Sequence, residues 1–231
     1  MHRRQILMTG TALLATCAAA TVVPEAVASG SLPKVTVRIE GKTKTLLAAS
    51  SVQTRSGSIT KGGAPSGACP SASAQGALDV ATKGKWSGTY SSKYQEYFIT
   101  KILGDSETSK TAYWEIFVNN VAASTGACQI KLKSGDQLLF AVVPSSPTEY
   151  PIGLKAPKTA TAGKAFKVTV LGYDAKGKAT PLAGATVTAG SQAQTSSASG
   201  VVTLTDAKAG TLTVQAGKTG YVRDETGVNV K

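Results

Sequence analysis

Histidine and methionine are almost missing from this sequence, and they occur only near its start. The single histidine is His2, and the two methionines are Met1 and Met8. Beyond that segment the chain therefore cannot form a histidine-based catalytic triad or a histidine-based metal centre. No carboxylate pair, Ser-Lys pair or phosphate-binding glycine loop stands out either. We expect no catalysis, no metal site and no cofactor.

Acidic residues are also scarce, with 13 Asp and Glu against 25 Lys and Arg, which gives a formal net charge of +12. The lysines are dispersed singly along the chain and do not cluster with aromatic residues. Proteins that bind nucleic acid concentrate arginine and aromatic side chains along one groove. We therefore expect no nucleic-acid partner, and the dispersed charge favours solubility or weak attraction to an anionic cell envelope.

The only extended apolar run lies in residues 1–28. A basic start at Arg3 and Arg4 precedes small and apolar residues that end in Ala26-Val27-Ala28. This is the three-part layout of an export signal, with cleavage expected after Ala28. The run is too short and too rich in Ala and Thr for a membrane span. We expect a secreted or extracytoplasmic protein without a transmembrane segment.

The same segment leaves the export route and the envelope attachment open. Arg3 and Arg4 fit the twin-arginine pattern as well as an ordinary signal. The residues before Cys17 resemble the box at which bacterial lipoproteins are lipidated, although Thr16 departs from that box. A cleaved protein without a lipid anchor is the favoured interpretation.

Two cysteines remain after the signal, Cys69 and Cys128, each within the tripeptide Gly-Ala-Cys. In an exported protein such a pair predicts one disulfide. A redox or metal pair would need a CxxC spacing or histidine partners, and the sequence has neither. The bond would close a loop of about 60 residues and stabilise the fold by about 4 kcal/mol.

Long helical patterns are missing, and short Val, Thr and Ile runs separated by glycine predict a mostly-β protein. A stretch rich in proline and serine at residues 145–154 predicts a stiff linker. It separates an N-terminal domain, residues 33–144, from a C-terminal domain, residues 155–231. Nine of the thirteen aromatic residues lie in the first domain, between Trp86 and Phe140.

The first domain begins with a strand at residues 35–41. Val35, Val37 and Ile39 alternate with polar or charged residues, Thr36, Arg38 and Glu40. This period of two predicts a strand with one buried side.

Further patterns in this domain predict one helix and several strands. They place strands at residues 45–52, 97–104 and 112–120, a helix at 77–86 ended by Gly84, and a hairpin at 128–143 that turns at Gly135-Asp136. A sheet covered on one face by a helix predicts an α+β, β-grasp-like domain.

Several short motifs follow one another along residues 33–144: Gly67-x-Cys69, Ala77-Leu78-x-x-Ala81, Trp86-Ser87-Gly88, Ile102-x-Gly104, Tyr113-Trp114, Phe117-Val118-Asn119, Gly126-x-Cys128 and Ser134-Gly135-Asp136. In this order they resemble the bacterial domain family of unknown function related to the C-terminal β-domain of transcobalamin and intrinsic factor. Asn120 departs from the glycine common in that family. Because Asn tolerates a left-handed backbone, we expect the turn to be kept.

The resemblance implies a possible corrinoid ligand. In transcobalamin this domain covers one face of the corrinoid and works together with a large helical barrel. The sequence contains no such barrel, and no histidine beyond its first residues could ligate cobalt. A corrinoid-like carrier is therefore the alternative function.

Aromatic residues of the first domain form the candidate surface for a ligand or partner: Trp86, Tyr90, Tyr94, Tyr97, Tyr113 and Trp114. A competing interpretation places Trp86, Trp114 and Phe117 in the core, as is common in small domains. The polar run TYSSKYQEY makes its three tyrosines the better candidates for an exposed contact patch.

The C-terminal domain shows some seven short strands with glycine-rich turns, which predict an antiparallel sandwich. Pro181-Leu182-x-Gly184-Ala185-x-Val187 and Ser199-Gly200-x-x-x-Leu204 resemble bacterial immunoglobulin-like and carboxypeptidase-regulatory-like repeats, which usually act as spacers. We therefore expect a secreted or cell-envelope, non-catalytic binding protein with an Ig-like spacer. Its partner is expected to be a protein, a wall polymer or a small ligand that the sequence does not identify.

Overall fold

The computed structural model describes residues 31–231, which consist mainly of β-strands. The predicted export signal, residues 1–28 with Arg3, Arg4 and Cys17, lies outside the described residues. The elements in chain order are β1 (Lys34–Glu40), β2 (Thr45–Gln53), a 3-10 turn (Lys61–Gly63), α1 (Ala74–Thr82), β3 (Trp86–Ser91), β4 (Glu96–Ile102), β5 (Asp105–Ser106), β6 (Ala112–Val118), β7 (Val121–Ala122), β8 (Gln137–Pro144), β9 (Tyr150–Lys155), β10 (Thr159–Ala160), β11 (Ala165–Tyr173), β12 (Ala179–Pro181), β13 (Thr186–Ala189), β14 (Gln192–Thr195), β15 (Val201–Thr205), β16 (Gly210–Gly217), β17 (Tyr221–Val222) and β18 (Asp224–Val230). The predicted mostly-β fold is confirmed.

The N-terminal module, which we define as residues 31–144, is built on a five-stranded sheet of order β2-β1-β8-β6-β7. β1 pairs antiparallel with β2 and parallel with β8, and β8 pairs antiparallel with β6. The helix α1 packs against this sheet through a shared hydrophobic core. A separate small sheet, β3-β4-β5, lies beside it.

The helix begins three residues before the predicted start because Ser73 caps it. The Ser73 side chain accepts a hydrogen bond from the Gly76 N–H at 3.4 Å, which satisfies one of the free donors of the first turn. A side chain at Gly76 would not fit, since a Cβ there would lie 2.0 Å from the Ser71 carbonyl oxygen. Leu78 faces the sheet and is fully buried.

The disulfide between Cys69 and Cys128 is confirmed, with a Cα–Cα distance of 4.8 Å. The predicted hairpin at residues 128–143 is wrong. Its first half forms a turn and a single bridge from Lys131 to Ser73. The disulfide and this bridge hold the segment near the start of the helix, and β8 pairs with β1 and β6 instead.

The turn between β6 and β7 follows the sequence prediction. Asn119 and Asn120 both adopt left-handed backbone, with φ angles of 51° and 67°. The Asn119 side chain also donates to Asp136 Oδ1 and accepts from the Gln137 N–H, each at 2.9 Å. Asparagine therefore replaces glycine at this turn and ties it to the start of β8.

The C-terminal module, which we define as residues 150–231, contains ten strands where the pattern predicted about seven. One sheet has the order β10-β18-β16-β13-β14; the other has the order β12-β11-β9-β17, with β15 also paired to β11. Strand β9 falls mainly within the predicted linker and pairs antiparallel with β11. The connection between the modules is therefore shorter than residues 145–154.

The two modules share a buried surface, which we call the module contact. Val222 of the C-terminal module packs among apolar residues on the face of the N-terminal sheet that lies opposite the helix: Phe117, Leu139, Ala141 and Val143. Arg38 and Glu40 lie on the same side of β1 and are only 8% and 1% exposed. The prediction that β1 has one buried side is wrong, because both sides are covered. Residues 32–231 form one compact unit.

Candidate functional site

Two of the candidate aromatic residues, Trp86 and Tyr97, belong to the core. Their rings meet edge to face at 4.9 Å, and both are almost fully buried. The Trp86 indole N–H donates to Asp79 Oδ1 at 2.7 Å, and the Lys61 ammonium lies 4.6 Å from the Trp86 ring centre. The Tyr97 hydroxyl donates to the Lys61 carbonyl oxygen. The core position predicted for Trp86 is confirmed, and the exposure predicted for Tyr97 is wrong.

The exposure of two further candidates, Tyr90 and Trp114, differs. Tyr90 is half-buried and contacts the edge of Tyr97 at 5.2 Å between ring centres. Trp114 is 7% exposed, as its predicted core role requires. Its indole Nε1 is buried without a hydrogen-bond partner among residues 31–231.

Three aromatic side chains remain exposed in the same region. Tyr94 and Phe98 are each 54% exposed and meet edge to face at 5.9 Å, and Tyr113 is 46% exposed. Phe98 was not among the sequence candidates. Alternation along β4 places Phe98 on the opposite side from Tyr97, so the burial of Tyr97 leaves Phe98 exposed.

A groove of about 240 Å³ runs beside Phe98 and Tyr113, along the facing edges of β4 and β6. We call it the β4–β6 groove. Phe98 and Tyr113 line it together with Trp114, and Gly126 lies in its wall. A side chain at Gly126 would collide with Glu96, whose Oε2 would lie 1.6 Å from a Cβ there. Glycine therefore allows the loop that carries Cys128 to approach β4 closely.

Two glutamates contribute the only charged side chains that line the groove within the described part of the chain. Glu96 accepts hydrogen bonds from the backbone N–H of Tyr97 at 2.8 Å and of Cys128 at 3.2 Å. Glu115 accepts from the Ile116 N–H at 2.9 Å and from the Tyr113 hydroxyl at 3.0 Å. Burial raises the pKa of Glu96, and its backbone hydrogen bonds act in the opposite direction.

A second group of charged residues lies at the module contact. The Arg38 guanidinium forms an ion pair with Asp224 of the C-terminal module. Its Nη2 donates to the Ile152 carbonyl at 3.4 Å, and its Nε lies 3.8 Å from Glu40 Oε1. Burial lowers the pKa of Arg38, and the nearby Glu40 opposes that shift. One arginine of β1 thus connects both modules.

Arg223 reaches across the same contact from the other module. It donates to the carbonyl oxygens of Gly41 and Lys42, each at 2.9 Å, and its Nη1 lies 3.7 Å from Glu40 Oε2. Burial raises the pKa of Glu40 to about 7, while Arg38 acts to lower it. The charged groups here contact one another across the two modules, which indicates a structural role.

A wider depression of about 570 Å³ borders the module contact. Lys42 is ion-paired to Glu107 at 3.1 Å, and Arg223 is engaged as described. Hydrogen bonds from Ser109 lower the pKa of Glu107 to about 2. The two cations that line this depression, Lys42 and Arg223, therefore already have partners. The β4–β6 groove, with its exposed aromatic rims, is the better candidate site.

Within residues 31–231, no helix is long and apolar enough to cross a bilayer. The same residues contain no group of three or more His, Cys, Asp or Glu side chains placed to hold a metal ion.

Residues 74–143 match the model of a family described as a domain of unknown function (DUF4430). The matched region includes α1 and runs through most of β8, so it contains both edges of the β4–β6 groove. No curated protein matches the chain.

Proposed function

We propose that this chain is a secreted or cell-envelope protein that binds a partner without catalysis, and that the partner contacts the β4–β6 groove. The observation that carries the proposal is the exposure of Phe98 and Tyr113 in one groove, with the exposed Tyr94 against Phe98. Most aromatic residues of the module are buried. Exposed apolar side chains gathered at one place are typical of interaction surfaces.

The chemistry of the groove supports binding rather than catalysis. Its two carboxylates, Glu96 and Glu115, are held by backbone hydrogen bonds. Catalytic nucleophiles normally lie beside a base that activates them. The groove contains one hydroxyl beside a carboxylate, Tyr113 bonded to Glu115, but burial and the charge of Glu115 raise the pKa of the Tyr113 hydroxyl, which is the opposite of activation. The confirmed disulfide is consistent with an oxidising compartment outside the cytoplasm.

The groove also favours a surface contact over enclosure of a small molecule. Pockets that enclose drug-sized ligands usually measure about 300–1,000 Å³, whereas this groove measures about 240 Å³ and borders exposed rims. A corrinoid-like carrier, the alternative implied by the resemblance to the transcobalamin β-domain, would need a larger enclosure. In this proposal the C-terminal module is an Ig-like support that holds the N-terminal module through the buried Arg38 contact.

A binding assay on cell-envelope and culture-medium fractions from the producing cells tests the proposal. We expect a triple variant, Tyr94→Ala, Phe98→Ala and Tyr113→Ala, to lose most retention on the fraction that holds the wild type. Leu32→Ala removes an exposed apolar side chain elsewhere and should leave retention unchanged. Equal retention of the triple variant and the wild type would contradict the proposal.

A further inference from the structure

The edge of β6 that faces the groove carries backbone groups that no strand of residues 31–231 pairs with. In the β6–β8 ladder the Ser145 N–H donates to the Thr111 carbonyl, and the Asn119 N–H donates to the Gln137 carbonyl, each at 2.8 Å. Odd-numbered residues of β6 therefore bond to β8, because bonded and non-bonded pairs alternate in an antiparallel ladder. The N–H and C=O of Trp114 consequently point to the opposite edge.

Strand β7 does not cover that position. Its pairing with β6 is confined to Phe117 and Val118, and one further bond runs from the Ala123 N–H to the Ile116 carbonyl at 2.8 Å. Among residues 31–231, no strand pairs with Trp114 on the groove side. Trp114 therefore borders the groove with one backbone donor and one backbone acceptor that have no strand partner within residues 31–231.

Over its first half, the facing edge of β4 has no strand partner in the described part of the chain. Strand β5 pairs with Lys101 and Ile102, and the last bond on that side runs from the Glu107 N–H to the Thr100 carbonyl at 2.9 Å. Closer to the start of β4, the Tyr97 N–H donates to Glu96 instead of to a strand. Two unpaired strand edges thus border the groove.

Each edge carries a glutamate that bonds to the N–H of the residue after it, Glu96 on β4 and Glu115 on β6. Charged side chains on free edges keep a sheet from pairing with arbitrary strands. These two carboxylates make the groove acidic in a chain of net charge +12. An approaching acidic segment would be repelled, whereas lysine or arginine would be attracted.

We propose that the β4–β6 groove binds an extended polypeptide segment that carries lysine or arginine. This inference rests on the proposed function and names its partner class. One residue of the segment forms an antiparallel pair with Trp114, exchanging two backbone hydrogen bonds, as in strand addition to a sheet edge. Basic side chains of the segment lie beside Glu96 and Glu115, and its apolar side chains pack on Phe98 and Tyr113.

A nitrogen-15 NMR titration of the purified exported chain tests this inference with two capped hexapeptides, acetyl-TVKVKT-amide and acetyl-TVEVET-amide. We expect the lysine peptide to shift the Trp114 and Ile116 amide signals and to bind about tenfold more tightly than the glutamate peptide. A lysine peptide methylated on its central backbone nitrogens should lose this binding. The inference is wrong if the Trp114 amide does not shift at the highest soluble peptide concentration, or if both peptides bind equally.

A charge variant and a matched control separate a specific site from general attraction. Glu115→Gln keeps an acceptor for the Ile116 N–H but removes the charge, so it should reduce the preference for the lysine peptide several-fold. Asp174→Asn is the control, because Asp174 is exposed, lies in the other module and also accepts backbone N–H bonds. An equal reduction by both variants would overturn the inference.

A sugar titration distinguishes failure of this inference from failure of the proposed function. The probe is an N-acetylglucosamine tetramer, which offers neither a β-strand nor a positive charge. If the tetramer shifts signals of Tyr94, Phe98 and Tyr113 and the peptides do not, the groove still binds a partner, but a polypeptide is the wrong class. If neither probe binds and the triple aromatic variant keeps its envelope retention, both proposals fail.

Discussion

The module contact and the β4–β6 groove each contain two buried or half-buried carboxylates, but the groups around them differ. At the contact, Glu40 and Asp224 lie against Arg38 and Arg223. In the groove, Glu96 and Glu115 bond to backbone N–H groups, and no cation pairs with them among residues 31–231. Carboxylates thus connect two modules in one region, and in the other they lie along a sheet edge that has no strand partner within residues 31–231.

The largest expected effect is at the contact. In Arg38→Met the side chain keeps its length but loses its charge, so Asp224 and Glu40 remain buried without that cation. Removing one partner of a buried ion pair typically costs about 3–5 kcal/mol, and we expect the free energy of unfolding at pH 7.5 to fall by this amount. Urea denaturation followed by tryptophan fluorescence measures it.

The control for this change is Arg55→Met, because Arg55 is exposed. Its substitution should alter the free energy of unfolding by no more than about 0.5 kcal/mol. If both variants unfold at the same urea concentration, the contact contributes little and the modules are held by their apolar surfaces alone.

The failure to predict this contact has a simple physical cause. Alternation along β1 identified Val35, Val37 and Ile39 as a buried face, and the structure confirms it. The pattern could not show that Arg38 and Glu40 are buried as well. A polar face covered by another module has the same period of two as a face in water, and the residues that cover it, such as Asp224, are nearly two hundred positions away.

Only part of the groove could be predicted from the sequence. The aromatic residues between Trp86 and Phe140 indicated the correct region, and the disulfide was predicted from its compartment. The tyrosine-rich run could not tell Tyr97 from Phe98, because that choice depends on which side of β4 packs against Trp86. The edge position of Trp114 could not be predicted either, since β8 was expected to pair in a hairpin that does not form.

An intermediate effect is expected from pH, through Glu40. Its pKa rises from 4.5 to about 7 on folding, so the folded state binds a proton that the unfolded state has released between these values. The free energy of unfolding should therefore decrease as pH rises from about 4.5 to about 7. With about 1.4 kcal/mol for each pKa unit, the whole shift corresponds to about 3.5 kcal/mol, of which about 2–3 kcal/mol is lost between pH 4.5 and pH 7.

Urea denaturation across this pH range, with Glu40→Gln as the comparison, measures the effect. The glutamine variant cannot titrate and should lack the decrease. Glu107→Gln provides a control of opposite sign, because the pKa of Glu107 is lowered to about 2. The stabilisation of the fold by ionised Glu107 is present above pH 4.5 and is lost as pH falls towards 2. If the pH profile of Glu40→Gln matches that of the wild type, Glu40 is not the titrating group.

The smallest expected effect compares two buried tryptophans, one with its polar atom paired and one without. Trp86→Phe removes the indole donor to Asp79 and the contact with the Lys61 ammonium. A hydrogen bond to a charged group contributes about 1.5–3 kcal/mol. We expect the free energy of unfolding of Trp86→Phe to fall by this amount. Trp114→Phe removes an Nε1 that has no partner within residues 31–231, which relieves an unsatisfied buried donor.

In Trp114→Phe, removal of the unpaired indole N–H offsets the packing that is lost with the larger ring. The free energy of unfolding should therefore change by less than about 1 kcal/mol. Urea denaturation of both variants at one pH measures the difference, with circular dichroism as the probe because each variant loses a tryptophan. A larger loss for Trp114→Phe than for Trp86→Phe would mean that packing of the Trp114 ring dominates. Trp114, which lines the groove, would then contribute to stability mainly through the packing of its ring.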